Sequence, residues 1–219
     1  DTNTNGVQNA GEPGISNITV RLYDGRTNLL ASTTTGTNGY YLFAGWPGTN
    51  YFVEFVAPTG YWFTTQDAGG SDTNDSDANP TPGRTVIFTN TVTTNDLKWD
   101  AGLYRPPGNI GDWVWNDANT NGIQNVGETA VTGVVVRLYN SSSNLIATTT
   151  NNATGYYSFT GLDSGYYFLQ FLISSNYTFT LQNQGGSDTN DSDVDASGYT
   201  SLFFLPPGTN DMTWDAGLA

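Results

Sequence analysis

The chain repeats a twelve-residue segment rich in Asp, Asn and Gly, so a fold that suits one half must also suit the other. Residues 1–12 read DTNTNGVQNAGE, and residues 117–128 read DANTNGIQNVGE. Both copies fit the spacing D-x-[DN]-x-[DN]-G-x5-E of the EF-hand calcium loop. In that loop oxygen ligands at positions 1, 3 and 5 surround the ion, a glycine at position 6 makes a sharp turn, and a glutamate at position 12 supplies two oxygens. The sequence therefore predicts two equivalent calcium sites.

Each predicted loop carries only two formal charges, one from Asp and one from Glu. Position 7 contributes its main-chain carbonyl, and position 9 binds directly or through a water. Because few charges attract the ion weakly, we expect an affinity suited to extracellular calcium. The alternative is an Asn/Gly-rich turn without an ion. The predicted ligands are Asp1, Asn3, Asn5, Val7, Asn9 and Glu12 in the first copy and Asp117, Asn119, Asn121, Ile123, Asn125 and Glu128 in the second.

A second acidic segment, GGSDTNDSD, occupies residues 69–77 and recurs at residues 185–193. Its three carboxylates repel one another unless a cation or water separates them. The segment is therefore either a second calcium site or a solvated acidic loop. The closing sequence WDAGL of each copy adds one further candidate ligand. The candidates are Asp72, Asp75, Asp77 and Asp100 in the first copy and Asp188, Asp191, Asp193 and Asp215 in the second.

The repeat continues far beyond these loops, with an offset of 116 residues between VRLY at 20–23 and VRLY at 136–139. A repeat of this length is a domain rather than a solenoid turn. We predict a first module over residues 1–104, a proline-containing linker over 105–110 and a second module over 111–219. Because the two prolines stiffen the linker, we expect the modules to be arranged end to end.

The two copies differ at their starts. The second opens with GDWVWN at 111–116, an alternating aromatic run that predicts a strand, whereas the first begins inside its own predicted metal loop. We expect the missing strand of the first module to come from upstream residues of a longer chain or from a neighbouring module or subunit. Donation by a neighbouring copy would give a head-to-tail contact, the kind that builds filaments.

Short runs rich in Thr, Tyr, Val and Phe, separated by Asn, Gly and Ser, predict an all-β chain. No stretch has the apolar spacing of a helix. The predicted fold class is therefore two tandem antiparallel β-sandwich modules, Ig-like or prealbumin-like, with calcium-binding loops. In the second module the predicted strands are 112–115, 134–139, 145–150, 156–159, 166–173, 177–181, 201–205 and 212–216.

Composition excludes several function classes. With 6 basic and 20 acidic residues the net charge is −14, which argues against nucleic acid or an anionic membrane as a partner. The chain has no histidine and no cysteine, so disulfides and imidazole or thiolate metal sites are excluded, and a hard ion such as Ca2+ remains. Neutral-pH catalysis usually draws on His, Cys or Lys, and Lys98 is the single lysine, so we predict no enzyme. No apolar run is long enough to insert in a membrane.

These motifs, taken in order, resemble the calcium-binding B repeats of serine-aspartate repeat adhesins, which are related to the collagen-adhesin B-type and prealbumin-like sandwiches. The resemblance rests on GDWVWNDANTNGIQNVGE at 111–128, VVVRLY at 134–139, TGYYSFTGLDSGYYFL at 154–169, GGSDTNDSD and WDAGL. It implies rigid, calcium-loaded tandem modules that project a ligand-binding region from a bacterial surface. The implied location is extracellular, and any host or cell-surface ligand would bind elsewhere in the parent chain.

Two functions remain open: a stalk, fibre or filament, and a recognition module for a sugar or protein ligand. Paired tyrosines at 40–41, 156–157 and 166–167, with tryptophans such as Trp46, would form the sugar platform. Strand alternation points one residue of each pair inward, which favours core packing instead. Some sandwiches similar to these carry a lysine isopeptide brace. Lys98 lies near the last strand of the first module and Thr213 takes its place in the second, so that brace is not expected.

Overall fold

Every regular element in the described part of the chain is a β-strand, as the Thr-, Tyr- and Val-rich runs predict. The computed structural model of the protein describes residues 1–44, 50–90 and 96–219. It divides the chain into two units, Asp1–Arg105 and Pro106–Ala219, which we call the first and second modules. The predicted all-β fold class is confirmed. Trp46, named above as an aromatic candidate, lies outside the described residues.

One four-stranded sheet dominates the first module. Its described strands are β1 Thr19–Asp24, β2 Leu29–Thr34, β3 Asn50–Val56, β4 Trp62–Phe63, β5 Phe88–Thr89 and β6 Leu103–Tyr104. The sheet has the order β2-β1-β3-β5 with antiparallel neighbours, and β4 pairs separately with β6. Val20 and Leu22 of β1 lie opposite Phe55 and Val53 of β3, and all four are buried on the core face.

The second module repeats this sheet and adds a second layer. Its strands are β7 Gly108–Asn116, β8 Val135–Asn140, β9 Leu145–Thr150, β10 Tyr156–Leu162, β11 Gly165–Leu172, β12 Phe203–Leu205, β13 Asn210–Asp211 and β14 Ala216–Leu218. The first layer is β12-β11-β8-β9, which corresponds to the sheet of the first module. In the second layer β7 pairs with β10, β13 and β14. Side chains of both layers form one core, so this module is a two-layer sandwich.

Strand β7 holds the second layer together. Ile110, Val114 and Trp115 are each at most 1% exposed. Full burial of such a side chain contributes roughly 1.5–3 kcal/mol to folding. β7 runs antiparallel to β10 but parallel to β13 and β14. The predicted antiparallel arrangement therefore does not hold for these two parallel pairings.

The predicted strands of the second module differ most from the structure in three places. β7 begins at Gly108, inside the predicted linker 105–110, because Asn109 and Ile110 already pair with β13 and β10. Residues 177–181 form no strand and only pair locally with residues 217–219. Residues 212–215, inside the predicted strand 212–216, are irregular because the Asp211 carboxylate binds the Thr213 hydroxyl and the Trp214 indole, which shapes a turn.

Candidate metal centre

A glycine forms the sharp turn of the predicted calcium loop in the second module. Gly122, at position 6, has φ +75°, and an added Cβ would collide with the Leu181 carbonyl oxygen. Its amide donates to Asp117 Oδ2 at 2.7 Å, so the loop folds back onto its first predicted ligand. Gly6 of the first module has φ +76°, and its amide donates to Asp1 Oδ2 at 2.7 Å. The sequence pattern therefore identifies the turn in both modules.

Polar side chains of each loop converge on one side of the turn. The amides of Asn119 and Asn121 both reach Asn125 Oδ1, at 2.7 and 2.9 Å. Glu128 closes the loop, since its two oxygens accept the amides of Ala118 and Asn125 at 3.0 and 2.8 Å. The structure thus brings together the side chains of positions 3, 5, 9 and 12.

The first loop is built in the same way. The amides of Asn3 and Asn5 reach Asn9 Oδ1 at 2.8 and 2.9 Å. Glu12 accepts the amides of Thr2 and Asn9 at 2.7 and 3.0 Å. The Asn9 amide lowers the pKa of Glu12, which favours the ionised form of this partly exposed carboxyl. The two loops therefore share their geometry as well as their sequence.

The second acidic segment lies directly beside the first loop in each module. In the second module Ile123 bridges Asp191, and the Ser192 amide donates to the Gly122 carbonyl at 3.0 Å. In the first module Val7 bridges Asp75, and the Ser76 amide donates to the Gly6 carbonyl at 2.9 Å. The two predicted sites are therefore neighbours, which the sequence alone did not indicate. Position 7 of each loop, predicted as a carbonyl ligand, is the point of contact.

In the second module three aspartates of this segment form a cluster. One carboxylate oxygen from each of Asp188, Asp191 and Asp193 lies within 4.8 Å of the others, with Asp188 exposed and the other two buried. Among the described residues, no other cluster of three acidic side chains brings its carboxylate oxygens this close together. In the first module Asp72 instead pairs with Lys98 Nζ at 2.8 Å.

The closing aspartate of each module joins the same region. Asp193 Oδ2 accepts the Asp215 amide at 2.5 Å, and Asp77 Oδ2 accepts the Asp100 amide at 2.8 Å. Burial raises the pKa of Asp193 to about 8 and that of Asp215 to about 9. Burial also raises the pKa of Asp77 to about 6 and that of Asp100 to about 7. Burial therefore disfavours the ionised form of these carboxyls, and a bound cation would offset that cost.

Sequence reasoning missed Asp112 of β7. It is 6% exposed, and burial together with the charge of Asp211 raises its pKa to about 7. The charge of Asp112 also raises the pKa of Asp215. The signal was present, because an aspartate within an aromatic and apolar strand is unusual unless it has a partner.

Buried carboxylate oxygens without partners indicate what this region can bind. Within residues 1–44, 50–90 and 96–219, the aspartate oxygens that are buried and lack any hydrogen bond are Asp1 Oδ1, Asp75 Oδ1, Asp191 Oδ1 and Asp215 Oδ2. Such oxygens are rare in folded proteins because their desolvation is uncompensated. All four belong to the predicted ligand set, every member of which can offer an oxygen to a cation. The residues present therefore fit a hard cation of the calcium type.

The paired tyrosines pack as alternation predicts. Tyr157 is 2% and Tyr167 8% exposed, whereas Tyr40 and Tyr166 are 71% and 55% exposed. The inward-pointing Tyr157 also donates to the Trp214 carbonyl.

In the described part of the chain, no helix has the length and hydropathy needed to cross a membrane.

Comparison with known proteins identifies the family. The model of the SdrD B-like domain matches residues 1–103 and again 108–218. The chain is 39% identical over 218 residues to serine-aspartate repeat-containing protein F of Staphylococcus epidermidis, covering 99% of this chain and 13% of that protein. It is 36% identical over 222 residues to serine-aspartate repeat-containing protein D of Staphylococcus aureus, with 99% and 16% covered.

A solved structure supports the fold. The Bacillus anthracis TIE protein superposes with a TM-score of 0.58 at 14% identity, covering 94% of this chain and 31% of that one. The curated relatives are much longer, because the chain spans about an eighth to a sixth of their length. With a family match in each module, the chain belongs to the SdrD B-like domain family.

Proposed function

We propose that the two modules are calcium-braced structural repeats of an extracellular surface protein, linked in series as a stalk or fibre. The observation that carries the proposal is the set of buried aspartate oxygens without partners, which recur in the predicted calcium regions of both modules. Membership of the B-repeat family supports the structural role. The long relatives are named for their serine-aspartate repeats, so a module of this type is one part of a larger surface protein.

Calcium would act here as a cross-link. The loop at 117–128 and the segment at 185–193 are far apart in sequence but adjacent in space. An ion shared by carboxylates of both would hold them together, which a disulfide cannot do in a chain without cysteine. An ion that binds only the folded state stabilises it by about 2.7 kcal/mol per site at a concentration one hundredfold above Kd.

The proposed ligands are the loop residues and aspartates predicted from the sequence. The loop glutamates and the first-position aspartates would supply charge, and the asparagines would supply neutral oxygens. Burial raises the pKa of Asp193 in the second segment and of Asp215 in the closing sequence, so a bound ion would favour their ionised forms. Weak sites of this kind suit millimolar extracellular calcium.

Partners follow from this role. Neighbouring copies of the same module, arranged head to tail, are the expected contacts, and a receptor would be bound elsewhere in the parent chain. A catalytic role is not part of the proposal, because the chain has no histidine or cysteine and its one lysine pairs with Asp72.

The test combines stability and shape. Chain 1–219 is melted in millimolar calcium, in magnesium and in a chelator, and calcium binding is measured by titration calorimetry. We expect calcium to raise Tm by several degrees and small-angle scattering to show an elongated particle. A Tm that a chelator leaves unchanged would contradict calcium bracing. A globular particle with calcium bound, or specific hits on a glycan array, would favour the recognition module instead.

A further inference from the structure

The first module has a pocket beside strands β4 and β6, which we call the Trp62 pocket. Its volume is about 670 Å3, and all of its lining residues belong to the described part of the chain. Trp62 is 56% exposed, and Tyr104 meets it edge to face with the ring centroids 6.3 Å apart. Residues 80–82, which read PTP, form another part of the wall. Aromatic rings and prolines therefore surround most of this space.

The second module lacks the side chains that build this pocket. Thr178 stands at the position of Trp62. The turn that holds the two prolines closes over residues 79–84, whereas its counterpart closes over residues 195–199, one residue shorter and without a proline. Both modules nevertheless have the same main sheet. The shared fold therefore does not require a tryptophan and two prolines at these places.

The Trp62 pocket is not the place of a strand equivalent to β7. Arg21 and Glu54 line the pocket, and they alternate with Val20 and Val53, which are buried in the core. The two charged residues therefore lie on the outer face of the main sheet. In the second module β7 pairs with β10, β13 and β14 in the other layer, and none of these strands contains the counterpart of a lining residue. A strand in that layer would leave the pocket open.

Positive charge is concentrated at this pocket, although the chain has a net charge of −14. The Glu54 carboxylate binds Arg21 Nη1 at 3.1 Å and Arg84 Nη2 at 2.9 Å. The Arg105 guanidinium lies 4.7 Å from the centroid of the Tyr61 ring in the pocket wall. Three of the six basic residues of the chain are thus at or beside the pocket, and Glu54 is its only acidic lining residue. This excess of positive charge favours an anionic ligand.

Two polar groups of the aromatic wall are available to a ligand. Within residues 1–44, 50–90 and 96–219, the structure gives no hydrogen-bond partner to the Trp62 indole N–H or to the Tyr104 hydroxyl. A polyproline II segment has no internal hydrogen bonds, so its carbonyls need donors from outside. Proline-rich segments in this conformation bind to grooves lined by aromatic side chains. The wall therefore suits such a peptide, and the arginines add a preference for acidic side chains.

We propose that the Trp62 pocket binds an extended, acidic, proline-rich peptide segment of a separate protein. The proline rings pack against Trp62 and Tyr104, and a carboxylate of the peptide pairs with Arg21. A second copy of this chain does not supply the segment. Of its nine prolines only Pro13 adjoins an acidic residue, and that residue, Glu12, is bound within its own loop.

The probe is the capped synthetic peptide EPPEPPEPP, titrated into chain 1–219 at constant calcium. We expect saturable one-to-one binding and slower hydrogen exchange at residues 61–64. Two matched peptides separate charge from conformation: QPPQPPQPP removes the carboxylates, and EAAEAAEAA removes the prolines. Each should bind about tenfold more weakly, the first because it loses a charge-assisted hydrogen bond and the second because it loses the preformed extended conformation.

Protein variants locate the binding at the pocket. Trp62→Thr introduces the residue of the second module and should weaken binding of EPPEPPEPP about tenfold or more. Arg21→Gln should abolish the preference for EPPEPPEPP over QPPQPPQPP. The matched controls lie in the second module: Tyr166→Thr changes an aromatic residue that is 55% exposed, and Arg137→Gln changes the counterpart of Arg21. Both controls should keep the affinity, and the Tm of each variant checks that it is folded.

Each alternative outcome has a distinct meaning. Absence of binding, equal binding of the three peptides, or an affinity that Trp62→Thr leaves unchanged would overturn the proposal. Binding of a hyaluronan tetrasaccharide in place of the peptides would assign the pocket to an acidic sugar. Dimerisation of chain 1–219 that Trp62→Thr abolishes would assign it to a second copy. The inference goes beyond calcium bracing and fails separately from it, because calcium is constant in every titration and its effect on Tm is measured without peptide.

Discussion

The two modules share their loops and their main sheet but differ in the layer that faces it. In the second module β7 pairs with three other strands, and Tyr157 beneath it is 2% exposed. In the first, the equivalent residues 40–43 form no strand, and Tyr41 is only partly buried. The sequences there are closely similar, so local propensity does not explain the difference. Among the described residues, the segments 156–162 and 216–218 that pair with β7 are regular strands, whereas the counterparts 40–43 and 101–102 are irregular.

The two modules also differ in how deeply the carboxyls of the acidic region are buried. Asp215 is fully buried, whereas its counterpart Asp100 is partly exposed. Burial raises the pKa of Asp215 to about 9 but that of Asp100 only to about 7. The strand therefore organises the second layer and also closes one side of the candidate metal centre. Strand pairing therefore involves the same buried carboxylates that we propose as calcium ligands.

The largest expected effect comes from breaking β7 in the second module. Val114→Asp places a charge at a position that is 1% exposed, and we expect it to cost about 3–5 kcal/mol of unfolding free energy. Hydrogen exchange at residues 156–162 and 216–218 should then approach the rate of residues 40–43. The matched control is Val86→Asp, at a position 56% exposed, which should cost less than about 0.5 kcal/mol. Unchanged exchange at 156–162 would disprove the organising role of β7.

The next effect tests whether the two calcium loops are equivalent. Glu12→Gln and Glu128→Gln each remove the charge of the closing glutamate, and each should remove up to about 2.7 kcal/mol of calcium-dependent stability at saturating ion. Chemical unfolding followed by hydrogen exchange assigns the loss to one module. Asp163→Asn, at an exposed aspartate outside the loops, is the control and should change nothing. A loss in only one module would show that the loops differ despite their matching geometry.

The turns and strands that depend on short stretches of sequence were predicted correctly. The glycine turns at Gly6 and Gly122 and the strands 145–150 and 134–139 follow from short patterns, and the structure has each of them within one residue. The parallel pairing of β7 with β13 and β14 could not be predicted, because it joins segments about a hundred residues apart. Residues 177–181 have the composition of a strand, but their neighbour β14 is only three residues long.

The candidate site divides in the same way. The sequence indicated both acidic segments, but it did not place them side by side, since that contact depends on the bridge between Ile123 and Asp191. Asp112 was not among the predicted ligands, because the alternating pattern of its strand was interpreted only in terms of the apolar residues. Lys98 was considered for catalysis and for an isopeptide bond but not as a partner of the acidic segment, whereas the structure places its ammonium 2.8 Å from Asp72.

The third prediction concerns pH in chelator. An aspartate whose pKa is raised on folding binds protons more tightly in the folded state, so stability falls as pH rises from about 4 towards the folded pKa. For the second module that decline should extend to pH 8–9, the raised pKa values of Asp193 and Asp215. For the first it should be complete near pH 6–7, the values of Asp77 and Asp100.

The expected loss is on the order of 1–2 kcal/mol, because local opening lets water reach the carboxylates. Chemical unfolding at closely spaced pH values, with hydrogen exchange to separate the modules, measures it. Saturating calcium should remove the dependence above pH 7, since the ion replaces the protons. Stability that rises with pH in chelator would contradict the assignment of these carboxylates as buried and unpaired.

The smallest effect concerns Lys98, which distinguishes the second acidic segment of the first module from that of the second. Its ammonium pairs with Asp72 at 2.8 Å, whereas Thr213 stands at the equivalent place and leaves Asp188 free to join the cluster with Asp191 and Asp193. The pair is exposed, so it contributes less than about 1 kcal/mol to stability. The lysine nevertheless places a positive charge at the position where we propose that the second module binds an ion. Lys98→Thr should therefore strengthen calcium binding by the first module a few-fold, and Thr213→Lys should weaken that of the second by a similar factor. Calorimetric titration of both variants at low and high salt distinguishes a charge effect from a packing effect, because only the charge effect shrinks as salt rises. If the reciprocal exchange leaves both calcium affinities unchanged, the two acidic segments differ for a reason other than this lysine.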